Sequence, residues 1–191
     1  MPEGLNAVRQ VLAAAHFAAE RHTPQRRKGI TGEPYINHLL EVAELLASTA
    51  AELDTTLIVA ALLHDTIEDA GVTRAEIAER FGEDVAALVA EVSDDKSLPR
   101  EVRKARQVED AAGKSLRAQE LAAADKISNL RSILRSPPAG WSFERKVEYV
   151  NWARRVVGRF ARLNGPLAEE FELTSARLQE WERSGGTKVF F

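Results

Sequence analysis

Cysteine is absent from the chain, which excludes disulfides and thiolate-held metals and leaves nitrogen and oxygen as the available metal ligands. That composition suits a cytoplasmic protein. Long hydrophobic runs are missing too: no stretch approaches the roughly 18 consecutive apolar residues that suggest a membrane helix. Nor does the N-terminus carry a basic segment followed by an uninterrupted apolar run, so the chain reads as soluble, unexported and without membrane association. An excess of charge of one sign is lacking as well. The 26 basic and 29 acidic residues leave a formal net charge of −3, which offers no general attraction for nucleic acid or anionic membrane, so any anion binding must be local. The two-residue alternation of a half-buried strand does not occur, and no internal repeat is found. With 191 residues and no break in composition, the expectation is one all-α domain over residues 1–184 and a flexible C-terminal tail over residues 185–191.

What is present is helical periodicity. Residues 5 to about 22 space Val8, Val11, Leu12, Ala15 and Ala19 as one amphipathic helix, with His16 and His22 on it as packed or helix-terminal histidines. A basic loop follows, Pro24-Gln25-Arg26-Arg27-Lys28-Gly29-Ile30-Thr31-Gly32-Glu33-Pro34, punctuated by glycine and proline. Pro34 opens a helix to about Ala50 whose polar arc is Asn37, Glu41 and Glu44, whereas His38 falls on the apolar side between Val42 and Leu45. Thr73-Arg74-Ala75-Glu76 has the form of a capping box. Asp94 to Arg100 reads as a turn, followed by a charged helix through Arg103, Lys104 and Arg106. Between Leu116 and about Leu134 a polar stripe, Asp125, Ser128, Asn129 and Ser132, interrupts an apolar helix and is read as lining a site. Ser142 to about Leu163 places Arg145, Tyr149 and Trp152 on one face, and Pro166 opens a last helix to about Arg183.

The stretch Leu62-Leu63-His64-Asp65-Thr66-Ile67-Glu68-Asp69 organises the rest, because it sets a buried apolar run against four ionisable side chains. On one continuous helix His64, Glu68, Asp65 and Asp69 fall at about 0°, 40°, 100° and 140° and project from one side. Leu57 to Leu63 is apolar all round, as in a helix crossing a core, which puts the charged turn at the floor of a pocket. A helix end with solvated acids before Gly71 is the plain alternative. Buried and unpaired, the acids would be prohibitive, whereas a divalent cation accepts both imidazole and carboxylate ligands.

His38, His64-Asp65 and Asp125 form the H…HD…D pattern, and in this respect the chain resembles the HD phosphohydrolase superfamily, whose residues bind a divalent metal between helices. The segments around His22 to Lys28, Pro34 to His38, His64 to Asp69 and Asp125 to Arg131 are similar to those of (p)ppGpp hydrolases related to RelA/SpoT. Gly140-Trp141-Ser142, Glu148-Tyr149 and Trp152-Ala153 resemble the stand-alone small alarmone hydrolases. The resemblance covers roughly Ala14 to Val157. It implies a multi-helix HD-domain bundle with His38, His64, Asp65 and Asp125 as ligands of one Mn²⁺. The implied reaction is hydrolysis of the 3′-pyrophosphate of (p)ppGpp to GDP or GTP and pyrophosphate. Glu68 and Asp69 would act as catalytic acids beside the ligands, Arg27 would stack on the base, and Lys28, Arg100 and Arg145 would neutralise the pyrophosphate. Asn129 and Tyr149 would wall the nucleotide pocket. Two positions depart from the family: Leu39 stands where proline is usual, a change expected to touch the helix start, and Ser128 stands where tyrosine or histidine is common, removing an aromatic expected near the pocket. Competing readings are the same site acting on ppApp or on the 2′-phosphate of NADPH, and a nucleotide sensor without turnover. The acids beside the ligands argue against the sensor.

Overall fold

A computed structural model describes residues 3–186; the part of the expected tail at residues 187–191 lies outside them. Within that range the chain forms ten α-helices, α1 (Glu3–Arg21), α2 (Ile36–Thr49), α3 (Thr55–Leu63), α4 (Thr66–Ala70), α5 (Arg74–Phe81), α6 (Glu83–Val92), α7 (Arg100–Glu109), α8 (Leu116–Arg135), α9 (Phe143–Val157) and α10 (Gly165–Arg183). No strand occurs among the described residues, only two isolated bridges, Arg26 with Pro34 and Gly29 with Pro138. Nor is any described helix long and apolar enough to cross a membrane.

The helix starts follow local chemistry. Asp54, Thr73, Ser115, Ser142 and Asn164 each accept an amide hydrogen bond from the first turn of the helix they precede. The box expected at Thr73 is half made: Thr73 Oγ1 accepts from Glu76 N at 3.1 Å, while the Glu76 carboxylate turns to Arg21, 2.6 Å away.

The core is built around α3. All of Leu57 to Leu63 is buried, because this helix is covered by α1 and α2 and also by α6, with α8 closing on α2 from the other side. Leu39, fully buried in α2, belongs to the same core. The bundle continues through α9 and α10 against α8.

Two elements differ from expectation. The helix expected to run unbroken through His64 to Asp69 is interrupted: α3 ends at Leu63, and Asp65, at φ −95° and ψ −2°, caps the separate turn α4. Thr66 Oγ1 donates to Leu63 O at 2.6 Å, taking a carbonyl that a continuing helix would have used. The four ionisable side chains are therefore fanned out by the break, not ranked along a helical wheel. The helix from Ser142 stops at Val157, short of Leu163, where the amide of Ala161 is taken by Gln119 Oε1 at 2.9 Å. Gly71, at φ 67°, ends α4 as the sequence suggests, its amide donating to Thr66 O. Gly185 and Gly186 close α10 by donating to Glu182 O and Trp181 O.

The basic loop between α1 and α2 is clamped at both ends. Gln25 Nε2 donates to Asp69 O at 2.8 Å, Arg27 N to Glu33 O at 2.8 Å, and Thr31 N to Ser136 Oγ at 3.2 Å. Gly29 lies so close to Ser136 that a Cβ would overlap its hydroxyl and carbonyl. Gly29→Ala is therefore expected to displace the loop and to destabilise the protein by about 1–3 kcal/mol, the usual cost of overpacking. Chemical denaturation read by circular dichroism checks the value.

Candidate metal and substrate site

His64 follows α3 at the end of the buried run, and its Nδ1 lies 2.8 Å from Ala61 O. A carbonyl only accepts, so Nδ1 carries a hydrogen, and Nε2 is the nitrogen that offers a lone pair whenever the ring is neutral. That buried nitrogen has no hydrogen-bond donor or acceptor assigned to it, and it points at Asp65 Oδ2, 3.2 Å away, and Asp125 Oδ1, 3.8 Å away. From α2, His38 Nε2 approaches the same oxygens, 3.2 Å from Asp125 Oδ1 and 3.7 Å from Asp65 Oδ2. Ligand atoms of His38, His64 and Asp65 all fall within 4.8 Å of one another, a spacing one ion can bridge. α2 and the α3–α4 junction thus bring two imidazoles and a carboxylate together, and Asp125 from α8, outside that grouping of three, adjoins both imidazoles through Oδ1.

The carboxylates are fixed by donors, two of them on the very oxygens that face the imidazoles, Asp65 Oδ2 and Asp125 Oδ1, and one on Asp125 Oδ2. Tyr35 donates its hydroxyl to Asp65 Oδ2 at 2.6 Å, and burial together with Asp65 pushes that phenol far above its ordinary range, so it stays a donor. Asn129 Nδ2 donates to Asp125 Oδ1 at 2.6 Å and Lys126 Nζ to Asp125 Oδ2 at 2.8 Å. Arg27 Nη2 in turn donates to Asn129 Oδ1 at 3.0 Å. Burial alone would raise both carboxyls, yet both are held low, Asp65 chiefly by His64 and Asp125 chiefly by Lys126 and His38. Burial also opposes charge on the imidazoles. At His64 it is outweighed by Asp65 and Asp125, which raise the group well above its usual value, and at His38 burial prevails and lowers it. The two acids thus demand one positive charge between the imidazoles. A proton on one ring would supply it to part of the cluster, and a nitrogen and oxygen donor set of this kind suits a borderline-hard divalent ion.

A cavity of about 370 Å³ opens on the cluster, with Glu68, Lys126 and Asn129 in its wall beside His64, Asp65 and Asp125. Burial pushes the Glu68 carboxyl up, although its Oε1 accepts from Asp94 N at 2.6 Å. Asp69 faces a neighbouring cavity with Arg27, Lys28 and Tyr149. Lys96 spans the two acids, 2.7 Å from Asp69 Oδ1 and 3.4 Å from Glu68 Oε2. A third recess joins Lys28, Arg100, Lys104 and Arg145 to Trp141 and Tyr149. The recesses share walls: Tyr35 and Asn129 join the first two, and Lys28, Trp141 and Tyr149 the last two. Arg145 lies 4.6 Å over the Trp141 ring, and Tyr149, pushed up to about 12 by burial, keeps its hydroxyl proton. A groove of cations and aromatic faces therefore runs to the carboxylate cluster, a layout suited to a nucleotide with more than one phosphate.

Of the residues singled out in the sequence, Arg27, Lys28, Glu68, Asp69, Arg100, Asn129, Arg145 and Tyr149 line this cavity system, and His38, His64, Asp65 and Asp125 adjoin one another at its floor. Ser128 does not behave as its position in the family suggested. It is fully buried behind His38, bonded to His38 Nδ1 at 2.8 Å, and lines none of these recesses, so an aromatic side chain at this position has no path to a nucleotide in this structure. Missed by sequence reasoning were Tyr35 and Lys126, both inside the quoted motifs, and Lys96, in a loop that gave no signal. His22 is a packed imidazole, 5.2 Å from the Tyr35 ring.

The sequence matches the HD domain family over residues 14–153. It is 49% identical over 147 residues to the guanosine-3′,5′-bis(diphosphate) 3′-pyrophosphohydrolase MESH1 of Xenopus tropicalis, covering 77% of this chain and 82% of that one. Against the Homo sapiens protein of the same name, identity is 47% over 160 residues, covering 84% and 89%. Among solved structures, that of a metazoan orthologue of SpoT that hydrolyses ppGpp superposes with a TM-score of 0.84 at 36% identity, covering 93% of this chain and 96% of that one.

His64→Ala and Asp125→Ala are each expected to lower divalent-metal content sharply, since each removes one of the four groups that would hold the ion. Elemental analysis after dialysis against trace metal checks this, and wild-type content in both variants would exclude the cluster as the metal site.

Proposed function

The chain belongs to the HD-domain family and, within it, to the MESH1-type guanosine-3′,5′-bis(diphosphate) 3′-pyrophosphohydrolases, and on that premise we propose that it hydrolyses the 3′-pyrophosphate of (p)ppGpp, releasing pyrophosphate and GDP or GTP. The observation that carries the reading is the junction of the His38/His64/Asp65/Asp125 cluster with the cation-lined groove in one cavity system. A cysteine-free chain suits a reducing cytoplasmic setting.

His38, His64, Asp65 and Asp125 would hold one divalent ion, for which we take Mn²⁺. When bound, such an ion neutralises charge on phosphoryl oxygens and makes water a stronger nucleophile. The remaining work falls to side chains. Lys28, Arg100 and Arg145 bind the phosphates along the groove, and Arg27 and Tyr149 confine the nucleoside. Tyr35, Asn129 and Lys126 keep the two carboxylates from rotating. In the reaction a water oxygen bonds to the phosphorus next to the ribose, the bond from that phosphorus to O3′ breaks, and O3′ takes a proton. Glu68 borders the cluster with its carboxyl pushed up by burial, which favours its holding and passing that proton. Asp69 sits one recess away, and Lys96 ties it to Glu68.

That separation sets an order. Glu68→Gln is expected to keep the metal and lose about 10²–10⁴-fold in kcat, the range for a proton-transfer group. Asp69→Asn should lose less, with part of the effect in KM. Turnover of Glu68→Gln at the wild-type rate would remove Glu68 from the mechanism. The reaction itself is tested by incubating purified protein and Mn²⁺ with ppGpp, pppGpp, ppApp and NADPH. Pyrophosphate released from the guanosine alarmones in preference to the other two is the expected result. Phosphate from NADPH alone would replace this reading with a 2′-phosphatase.

A further inference from the structure

Behind His38, on the side away from the carboxylates, lies a second polar chain that the reaction above does not use. His38 Nδ1 is 2.8 Å from Ser128 Oγ, and Ser128 Oγ is 2.7 Å from Glu41 Oε2. His38 is 3% exposed and Ser128 fully buried, so water does not substitute for either partner. Glu41 is itself flanked by Arg135 Nη1 at 3.3 Å and Arg131 Nη1 at 3.6 Å, and Arg131 is tied to Glu170 on α10 at 2.5 Å.

Counting hydrogens along this chain leaves one arrangement. A carboxylate accepts and does not donate, so the Ser128 hydroxyl hydrogen goes to Glu41. Ser128 Oγ then meets His38 with a lone pair, and His38 Nδ1 must supply the hydrogen. The free lone pair is thereby placed on Nε2, the nitrogen that faces Asp65 and Asp125. At His64 the carbonyl of Ala61 does the same work directly. Both imidazoles thus have Nδ1 engaged as a donor and Nε2 turned to the acids by different means, one through the backbone and the other through a serine and a carboxylate.

We propose that Ser128 and Glu41 are positioning residues for the metal centre: Glu41, held by Arg131 and Arg135, fixes through Ser128 both the orientation of His38 and which of its nitrogens is free to bind the cation. The inference rests on the metal site assigned above. It also gives Ser128 a function that a pocket-lining aromatic would not have.

The test uses Ser128→Ala, Glu41→Gln and the hydroxyl-restoring Ser128→Thr. Removing an outer partner of a ligating histidine costs about 10–100-fold in metal affinity. Isothermal titration of chelator-treated protein with Mn²⁺ should therefore show a loss of that size for Ser128→Ala, a smaller loss for Glu41→Gln, and recovery in Ser128→Thr, while the thermal midpoint before metal is added stays near wild type. The chain has four histidines, so their ring nitrogens can be followed singly by long-range ¹H–¹⁵N correlation. His38 should carry its hydrogen on Nδ1 in the wild type and become mixed in Glu41→Gln. Wild-type Mn²⁺ affinity in both Ser128→Ala and Glu41→Gln would overturn the inference and leave the metal site standing. Absence of Mn²⁺ binding by the wild type would overturn both.

Discussion

Four acceptors, two carboxylates and two imidazole nitrogens, are made to face one another at the inner end of an apolar helix. In a low-dielectric interior like-charged or lone-pair groups at such distances repel strongly unless a positive charge stands among them. Much of the polar architecture serves that constraint. Tyr35 and Asn129 donate to the carboxylate oxygens that face the imidazoles, Lys126 donates to the far oxygen of Asp125, and Ala61 and the Ser128–Glu41 pair take the outer imidazole hydrogens. The imidazole nitrogens and carboxylate oxygens that face one another form a group that could hold a cation.

The break between α3 and α4 belongs to the same logic. A straight helix would carry His64 and Asp65 past one another at 100°. Ending α3 at Leu63 lets the imidazole fold back on Ala61 while Asp65 swings towards Tyr35 and the two histidines. Thr66 makes the break cheap by satisfying the Leu63 carbonyl with its own hydroxyl.

Around this rigid centre the groove is built from less regular pieces: the loop carrying Arg27 and Lys28, the turn before α7 carrying Lys96, and the aromatic face of α9. Each is tied back to the bundle. Gln25 reaches Asp69, Thr31 and Gly29 rest on Ser136, and Trp152 donates to Lys104 O at 3.1 Å. In the proposed reading the cations on these anchored loops would take up the phosphates, with Arg27 linked to the cluster through Asn129.

Periodicity, caps and punctuation were enough to read an all-α chain, because they depend on neighbours three or four residues apart: Pro34 before α2, Asp54 before α3, Gly71 after α4. The His38, His64-Asp65 and Asp125 pattern was legible for a similar reason, since residue type alone marks imidazole and carboxylate as ligands once they fall on inward positions. The break at His64, the stop at Val157 and the tasks of Tyr35, Lys126, Lys96 and Ser128 were not legible. Most depend on a partner distant in sequence, Ser128 on a histidine 90 residues away and Tyr35 on an acid 30 residues away, while the break at His64 and the Lys126–Asp125 pair are local contacts that residue type alone does not single out. A serine in a polar helical stripe has the same local pattern whether it faces a nucleotide or the back of a ligand. By itself the sequence determined which groups could bind a cation and on which helices they ride; the packing of α2 and α8 against α3 decided which way each points, because hydrogen-bond direction is fixed only when donor and acceptor are brought together in space.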